Sequence, residues 1–431
     1  MEEHETVSYC LDALKKAGAR KAQCVLRNRE RNELNLESNR LNLLRTTFDT
    51  AISLAAVLDE KRAAISLNKT DKDSLDEAVR QVIELARASE ADSANDISEK
   101  QPPKAFKKGP EKPDLEAMYE RLHAFIHYVR KMYPLVILEG ANFDFTLEKR
   151  CFQNTNGVDF FSQKGVYHFF TLFTSKEAGR SSSFNTSGFS STSLDQEIQN
   201  YGSLDALLRQ SGEQIEAKAF ERKMVGDVIM TPDCLEDFIR FLARNFLSDQ
   251  PLITGTSPLK DALGSTIADK RLTLCSKPVS EEIDDGYFFT GDGYEAQDSI
   301  IIDRGVLKTF LLSLYGAKKT GRPKAVNDGG AYVIDAGKVS LEEMVRSVKS
   351  GLWLGRFSGG NPSENGDFSG IAKNSYYIEG GEIQYPVTET MISGNLLVML
   401  NHIRNISQER IDFGRAILPW LQSSGLTISG K

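Results

Sequence analysis

Two of the five histidines in the chain, His123 and His127, are spaced one helical turn apart. Histidine pairs at this spacing, joined by a glutamate, are the arrangement with which helices bind zinc for peptide hydrolysis. In LEAMYERLHAFIHYVRKMY, however, the apolar residues form one helical face, and the histidines fall on the opposite flank beside Glu116 and Glu120. This flank can hold a metal ion, but we favour a solvated surface stabilised by side-chain pairs one turn apart.

A glycine-rich stretch, SGGNPSENGDFSG, runs from Ser358 to Gly370. A phosphate loop would need lysine where Asp367 stands, so nucleotide binding is not indicated. We interpret the stretch as a sheet-edge turn whose exposed backbone accepts an extended peptide or a partner strand; an equally weighted alternative is a purely structural turn. The residues predicted to bind a peptide or partner are Gly359, Gly360, Asn361, Gly366, Asp367, Phe368, Ser369, Gly370, Tyr376 and Tyr377.

Other catalytic patterns are weak. No GxSxG nucleophile motif occurs. The remaining internal histidines, His168 and His402, have no acid partner visible in the sequence, so they are interpreted as structural. Carboxylate-only catalysis stays open, because the 60 acidic residues always allow some pair.

Composition limits the class of protein. The net charge of −7 argues against direct nucleic-acid binding, and no run of about 18 apolar residues could cross a membrane. The acidic start MEEHETVSYC does not resemble a signal peptide. The five cysteines are dispersed without a metal-binding spacing, which is typical of reduced thiols. The sequence therefore predicts a cytoplasmic protein.

The elements that must position these residues form an α+β fold with two predicted domains. Residues 1–222 form a mixed α/β domain of two α-β-meander-α units, with a polar linker at about 91–113. Helices are predicted after an N-cap at Asp73 or Ser74, over Pro113–Tyr133, and from Ser193. Ser-Leu-Asp occurs at the first and last of these helix starts. Residues 226–431 form a β-rich domain that includes one clear helix, TPDCLEDFIRFLARNFL.

The C-terminal sequence resembles the PmbA/TldD family. FSGGNPSENGDFSGIAKNSYYIEGGEIQYPVTETMISGNLLVMLNHI (357–403) is similar to the closing signature of that family. SPLKDALGSTIADKRLTL (257–274) and IIDRGVLKTFLLSLYGAKKTGR (301–322) match further family segments. The resemblance extends over nearly the whole chain.

The resemblance implies a dimeric assembly around a closed chamber. It also implies that TldD-like members bind zinc through HExxxH on a C-terminal helix and a downstream cysteine. The corresponding helix here is 234–249, which contains no histidine and offers Glu236, Asp237, Arg240 and Arg244. No cysteine follows Cys275. The chain therefore resembles the PmbA/TldE-like branch, which lacks the zinc site and pairs with a TldD-like subunit.

The resemblance therefore implies a non-catalytic subunit of a cytoplasmic TldD/TldE-type zinc metallopeptidase that cleaves unfolded peptides. No catalytic residue, metal or cofactor is expected in this chain, and zinc is expected in an HExxxH-bearing TldD-like partner. Formation of a homodimer by the chain alone is left open by the sequence. The alternatives are an autonomous peptidase with an unrecognised site and a regulatory binding protein of the DNA gyrase modulator type.

Overall fold

The computed structural model describes residues 3–37, 40–388 and 390–430, and it has the α+β fold expected from the sequence. The N-terminal part begins with a helix and a three-stranded meander and then repeats this order. Its elements are α1 (Glu3–Lys16), β1 (Lys21–Glu37), β2 (Arg40–Leu58), β3 (Lys61–Leu67), α2 (Lys72–Ala88), β4 (Lys104–Lys108), α3 (Leu115–Met132), β5 (Val136–Asn154), β6 (Asp159–Glu177), β7 (Arg180–Ser181), β8 (Asn185–Ser191) and α4 (Leu204–Glu213).

The two α-β-meander-α units share one sheet, because β1 and β5 pair antiparallel at its centre. The strand order is β3-β2-β1-β5-β6-β4, and β7 and β8 also pair with β6. Along these long strands, apolar side chains alternate with polar ones. The apolar side chains of each strand therefore share one face of the sheet, and this face lies against the helices. Helices α1 and α2 pack on residues such as Leu26 and Ile52, and α3 and α4 pack on residues such as Phe143 and Phe169.

Several predicted boundaries differ from the structure. The predicted helix over Pro113–Tyr133 is confirmed as α3, but α2 is capped by Asp71 rather than by Asp73 or Ser74. No α-helix starts at Ser193; a 3₁₀ turn at Ile198–Asn200 precedes α4. The tripeptide Ser-Leu-Asp does recur at that helix, at residues 203–205. The predicted linker also contains β4, which pairs parallel with β6.

The C-terminal part is mostly strand. Its elements are β9 (Lys218–Ala219), β10 (Lys223–Met230), α5 (Pro232–Leu242), α6 (Asp249–Ile253), β11 (Leu274–Ser276), β12 (Ser299–Asp303), β13 (Val306–Leu307), α7 (Leu314–Thr320), β14 (Tyr332–Ile334), α8 (Leu341–Arg346), β15 (Ser350–Leu354), β16 (Arg356–Gly359), β17 (Asp367–Lys373), β18 (Ser375–Glu379), β19 (Glu382–Thr388), β20 (Thr390–Asn395), α9 (Leu396–Asn401), β21 (Ile403–Asp412) and β22 (Ile417–Ser429).

The second sheet is built around β22, which pairs with β10, β14, β20 and β21. Its main path is β13-β12-β11-β14-β22-β10-β15-β18-β19-β9. A large apolar core lies between this sheet and helices α5 and α9. The two sheets are separate, but the domain boundary near residues 222–226 stays a prediction.

All five cysteines are buried and carry free thiols. Within the described ranges, no helix combines the length and the apolar character needed to cross a bilayer.

Candidate functional site

Helix α5 carries charged side chains along one face, and the sequence explains why the helix starts where it does. The Thr231 side chain accepts a hydrogen bond from the Cys234 N–H, and Pro232 occupies the first turn, where its missing N–H is not needed. One face of the helix places Leu235, Phe238 and other apolar residues in the core. The opposite face is therefore left to border a cleft.

An ion-pair cluster on this face holds Glu236 between two arginines. Glu236 Oε1 lies 2.6 Å from Arg240 Nη2, and Glu236 Oε2 lies 2.9 Å from Arg415 Nη2. Burial opposes ionisation of Glu236, but attraction by Arg415 and Arg240 lowers the pKa of the carboxyl. The carboxylate is thus fully engaged by guanidinium groups.

Two other carboxylates of α5, those of Asp233 and Asp237, make no ion pair within the described parts of the chain. The pKa of Asp233 is raised to about 6, chiefly by burial. The pKa of Asp237 is also raised, by partial burial and by the neighbouring Glu236 carboxylate. Because residues i and i+4 share a helical face, both acids can meet one ligand.

The remaining walls of the cleft come from both sheets. Together with α5, residues of β6, β8 and the C-terminal sheet enclose a cavity of about 400 Å³. Strand β8 lines it with consecutive residues from Asn185 to Ser190, and Arg356 and Arg415 lie on the other side. We call this cavity the α5 cleft. A cleft of this size, with a few charged groups on one side, has the character of a small-ligand site.

The Arg356 guanidinium is positioned by the N-terminal part of the chain. It stacks on the Phe184 ring at 4.1 Å from the ring centroid, and its Nη2 donates to Ser183 Oγ at 3.2 Å. No carboxylate lies within ion-pair distance of it among the described residues. Burial lowers the pKa of Arg356, although the group stays charged at neutral pH.

His168 lies at the edge of the cleft between two carboxylates. Its Nδ1 is 3.3 Å from Asp144 Oδ2, and its Nε2 is 3.2 Å from Asp285 Oδ2. Burial opposes the charged imidazolium, but the two carboxylates outweigh burial and raise the pKa of His168 to about 9. Lys164 completes the cluster by pairing with Asp285 at 2.6 Å. His168 therefore links the N-terminal sheet to the C-terminal part.

A second cleft, of about 520 Å³, lies on the N-terminal sheet beside Gly291. It is lined by Arg27, Arg62, Arg150 and Glu148 among others. This second cleft is slightly larger than the α5 cleft, but among the described residues no carboxyl with a raised pKa lines it, whereas Asp233 and Asp237 line the α5 cleft. Perturbed acids in a concave site are the better indicator of function.

The predicted histidine surface on α3 is solvated. His123 and His127 are both exposed, and the His123 ring stacks on Tyr119 with the ring centroids 6.2 Å apart. Among the residues the structure describes, no group of three or more His, Cys, Asp and Glu side chains is suited to holding a metal ion.

The predicted glycine-rich site joins β16 to β17. In the described sheet β16 pairs only with β17, so the stretch does lie at a sheet edge. Gly359 and Gly370 face each other across the pair, and a Cβ on either would collide with the Phe357 ring at 2.6 Å. Packing of Phe357 therefore accounts for these two glycines, and the binding role stays a prediction. Of the remaining residues in the stretch, Gly360, Asn361, Asp367 and Ser369 are exposed, while Gly366 and Phe368 are buried.

Tyr376 and Tyr377 were expected to contact a peptide or partner, and the structure places them differently. Tyr377 is 1% exposed and shares a hydrogen bond with Ser350, with 3.0 Å between their hydroxyl oxygens. Tyr376 is also buried and donates to Glu213 at 2.6 Å. Because β18 is an inner strand, both rings pack in the core of the C-terminal part.

The zinc site of TldD-like relatives does not fit the residues present here. The cleft face of α5 offers no imidazole, and its buried glutamate is held by two permanently charged guanidinium groups. Zinc sites in proteins use imidazole, thiolate or free carboxylate ligands, and nearby fixed cations oppose binding of a divalent ion. We therefore derive no metal-dependent step for this chain.

The structure thus defines a two-part α+β protein, in which an α-β-meander sheet joins a β-rich part and a charged cleft lies between them. The family model for the PmbA/TldA metallopeptidase C-terminal domain matches residues 223–430. A PmbA homologue from Haemophilus influenzae, described as a metalloprotease, is 24% identical over 98% of this chain and 96% of the relative. The C-terminal part of the chain thus matches the PmbA/TldD family, and the full-length likeness to the Haemophilus influenzae relative agrees with this.

Two further comparisons agree. A PmbA homologue from Buchnera aphidicola, also described as a metalloprotease, is 32% identical over 145 residues. That match spans 32% of this chain and 32% of the relative, so the chain covers about a third of that relative's length. The crystal structure of TldE from Thermococcus kodakarensis superposes with a TM-score of 0.84 at 17% identity, over 99% of this chain and 100% of that chain. At this identity the likeness establishes the fold alone.

Proposed function

We propose that this chain is a non-catalytic subunit of a cytoplasmic zinc metallopeptidase that cleaves unfolded peptides. An HExxxH-bearing TldD-like subunit supplies the zinc, and this chain contributes walls of the chamber and contacts to the peptide. Support comes from the match between residues 223–430, which include α5 and Arg415, and the model for a metallopeptidase C-terminal domain.

The observation that carries the proposal is the ion-pair cluster of Arg240, Glu236 and Arg415 on α5. A catalytic glutamate has to accept a proton from metal-bound water, and a catalytic metal needs uncommitted ligands. Glu236 accepts from both arginines, and its pKa is lowered. Such a carboxylate is a weak base. The cluster suits a structural or peptide-positioning role, with the chemistry in another subunit.

Mixing this chain with the HExxxH-bearing protein from the same genome tests the proposal. We expect the purified chain alone to contain less than stoichiometric zinc by mass spectrometry and to leave an unfolded fluorogenic peptide uncut. Hydrolysis should begin when the partner is added, because the partner contributes the metal.

A matched control replaces the first histidine of HExxxH in the partner by alanine, which should abolish hydrolysis in the mixture. Stoichiometric zinc and turnover in this chain alone would instead establish an autonomous peptidase. Direct binding to DNA gyrase, without any support of peptide hydrolysis, would establish a regulatory protein. Either result would refute the subunit proposal.

We expect the partner subunit to dock on exposed apolar residues of β2. Leu44 is 63% exposed and Phe48 is 76% exposed, and they project from the same edge region of the sheet. Large apolar side chains clustered at the surface commonly mark interfaces. The double variant Leu44→Ser, Phe48→Ser should weaken association with the TldD-like subunit by about tenfold to a hundredfold, measured by biolayer interferometry.

The matched control is Val398→Ser on α9, which removes a similarly exposed apolar side chain elsewhere. It should leave the affinity unchanged. If the double variant associates as tightly as the unmodified chain, β2 is not the docking surface. If the double variant loses only its self-association, β2 is the interface of a homodimer. The proposal that the TldD-like subunit docks there is then wrong.

A further inference from the structure

The cleft of about 520 Å³ on the N-terminal sheet is lined by more arginines than carboxylates. It lies on the face of the sheet that the helices leave free, because side chains alternate along a strand and the alternate residues of β1, such as Leu26, pack on α1 and α2. Arg27, Arg62 and Arg150 line it together with one carboxylate, that of Glu148. We call this cavity the sheet cleft.

Two of these arginines stand directly opposite each other. Arg27 on β1 is the register partner of Arg150 on β5. Side chains so placed have their Cβ atoms about 4.5–5.5 Å apart, and like charges in such a pair destabilise a sheet. Within the described ranges, neither guanidinium group forms an ion pair, since the Glu148 carboxylate is held by Arg29 Nη2 at 2.9 Å. The fold thus brings two positive charges together and supplies no counter-ion.

The two guanidinium groups differ in freedom. The Arg150 guanidinium stacks on the Phe289 ring, with its central carbon 4.5 Å from the ring centroid. Burial and the like charge of Arg27 lower the pKa of Arg150, although the group stays charged at neutral pH. Arg27 is exposed at the opening of the cleft. One arginine is therefore held in place by packing, and its neighbour is free to move onto a ligand.

The floor of the sheet cleft leaves room above the strands. It is made of small side chains on β2 and β3, which are Ala51, Ser53, Ala55, Ala64 and Ser66. The hydroxyl oxygens of Ser53 and Ser66 lie 2.8 Å apart and form a polar point in this floor. A concave site of this volume accommodates a ligand larger than a simple ion.

The charges around the sheet cleft favour a ligand with one negative charge. Glu148 and Arg29 neutralise each other, which leaves the three lining arginines. Two further carboxylates lie beside the cleft: Asp49, the register partner of Arg29, and Asp328, which accepts from the Gly291 N–H at 2.7 Å. With both ionised, one positive charge remains. A single carboxylate therefore complements the cleft better than a doubly charged phosphate does.

We propose that the sheet cleft binds a peptide through a carboxylate group, which Arg27 and Arg150 hold between them. Guanidinium groups bind carboxylates through paired, charge-assisted hydrogen bonds. The floor of small side chains gives space to the residues that adjoin the carboxylate. Arg62, on β3, lies toward the other end of the cleft. The inference rests on the proposed function for its ligand class, a peptide, and it adds the chemical group that is recognised.

Binding is measured on the purified chain alone by fluorescence anisotropy, with an alanine-rich pentapeptide that carries an uncharged dye at its amino end. The peptide with a free carboxyl end should bind about tenfold or more tightly than its amide. Arg27→Gln should remove most of this preference, because glutamine keeps a polar side chain and loses the charge. The matched control is Arg87→Gln, which alters an exposed arginine on α2 outside the cleft and should leave the preference intact.

Thermal unfolding supplies a second readout for Arg27→Gln. The variant should unfold at the same temperature as the unmodified chain or at a higher one, because the repulsion between Arg27 and Arg150 is removed. A lower unfolding temperature would show that Arg27 has a structural partner and would contradict the proposal. Equal binding of the acid and amide peptides would overturn it, as would an unaltered preference in Arg27→Gln or stronger competition by inorganic phosphate than by acetate at equal ionic strength.

A carboxylate can come from the end of a peptide or from an acidic side chain. An amidated peptide with one internal glutamate separates these sources. Tight binding of this peptide assigns the cleft to acidic side chains, and weak binding assigns it to the chain end; either result supports a carboxylate site. Since no catalytic subunit is present in these measurements, failure here is distinct from failure of the mixed subunits to hydrolyse a peptide.

Discussion

Replacing Asp233 by asparagine should raise the free energy of unfolding at pH 7.5 by about 2 kcal/mol. Burial raises the pKa of this carboxyl from an ordinary 3.8 to about 6. Holding the ionised form in the fold therefore costs up to about 3 kcal/mol, at 1.36 kcal/mol per pH unit. Asparagine avoids this cost. It also gives up a favourable interaction between a carboxylate and the first turn of α5, worth about 0.3–1 kcal/mol, which reduces the net gain.

The stabilising effect of Asp233→Asn should depend on pH. A carboxyl with a raised pKa in the folded state destabilises the fold once the unfolded chain loses its proton, near pH 4. The cost grows as the pH rises and is complete above about pH 6. The difference between Asp233→Asn and the unmodified chain should thus shrink to about 0.5 kcal/mol at pH 4 and be largest above pH 6.

Urea unfolding at pH 4 and pH 7.5 measures this difference, with Asp49→Asn as the matched control. The control should change stability by no more than about 0.5 kcal/mol, because Asp49 is exposed. A loss of stability in Asp233→Asn at pH 7.5 would show that Asp233 is satisfied in the fold. A gain of stability would show that the ionised carboxylate of Asp233 is held in the α5 cleft at a cost to the fold.

Much of the fold follows from local patterns. The apolar spacing of α3 and α5 and the alternation along the meander strands are strong signals, and both helices lie close to their predicted positions. The helix that was predicted to start at Ser193 shows the limit of such signals. Ser193 and Ser203 both begin the tripeptide Ser-Leu-Asp, and only the second precedes an α-helix. In the structure Ser193 bonds Asp195 locally, a turn that competes with helix formation.

The candidate site was less predictable, because it is assembled from residues that are distant in sequence. Asp144 could have been placed opposite His168 by counting strand register outward from the Asn156-Gly157 turn, since Asn-Gly is a hairpin signal. Asp285, Arg356 and Arg415 carry no such signal. They reach the cleft only because the C-terminal part packs against β6 and β8, and no local pattern predicts that packing.

The glycine-rich stretch shows a different limit of sequence patterns, and its binding role stays a prediction. Its composition indicated an exposed binding edge, but Gly359 and Gly370 are explained by the Phe357 ring that lies across them. Tyr376 and Tyr377 were selected because tyrosines are common at interfaces, yet an inner strand buries them. Residue type alone therefore indicated function at positions where packing is a sufficient explanation. By contrast, no local sequence pattern singles out Asn185. Only the structure shows that its buried side-chain Nδ2 has no hydrogen-bond partner among the described residues.

Replacing His168 by glutamine should lower the free energy of unfolding at pH 7 by about 2–3 kcal/mol. Glutamine keeps a hydrogen-bond donor but removes the positive charge between Asp144 and Asp285, leaving Arg31 and Lys164 to neutralise them. Breaking a buried charge pair typically costs about 3–5 kcal/mol, and we expect less because His168 is one-third exposed.

The pH profile distinguishes this charge from simple packing. The pKa of His168 is about 9 in the fold against an ordinary 6.5, so its stabilisation is complete below pH 6.5 and is lost as the pH rises through 9. Urea unfolding at pH 6, 7 and 10 should therefore show a gap between the two proteins that closes at pH 10. The exposed His402→Gln variant should show no gap at any pH. A gap in His168→Gln that persists unchanged at pH 10 would mean that the imidazole acts by shape and not by charge.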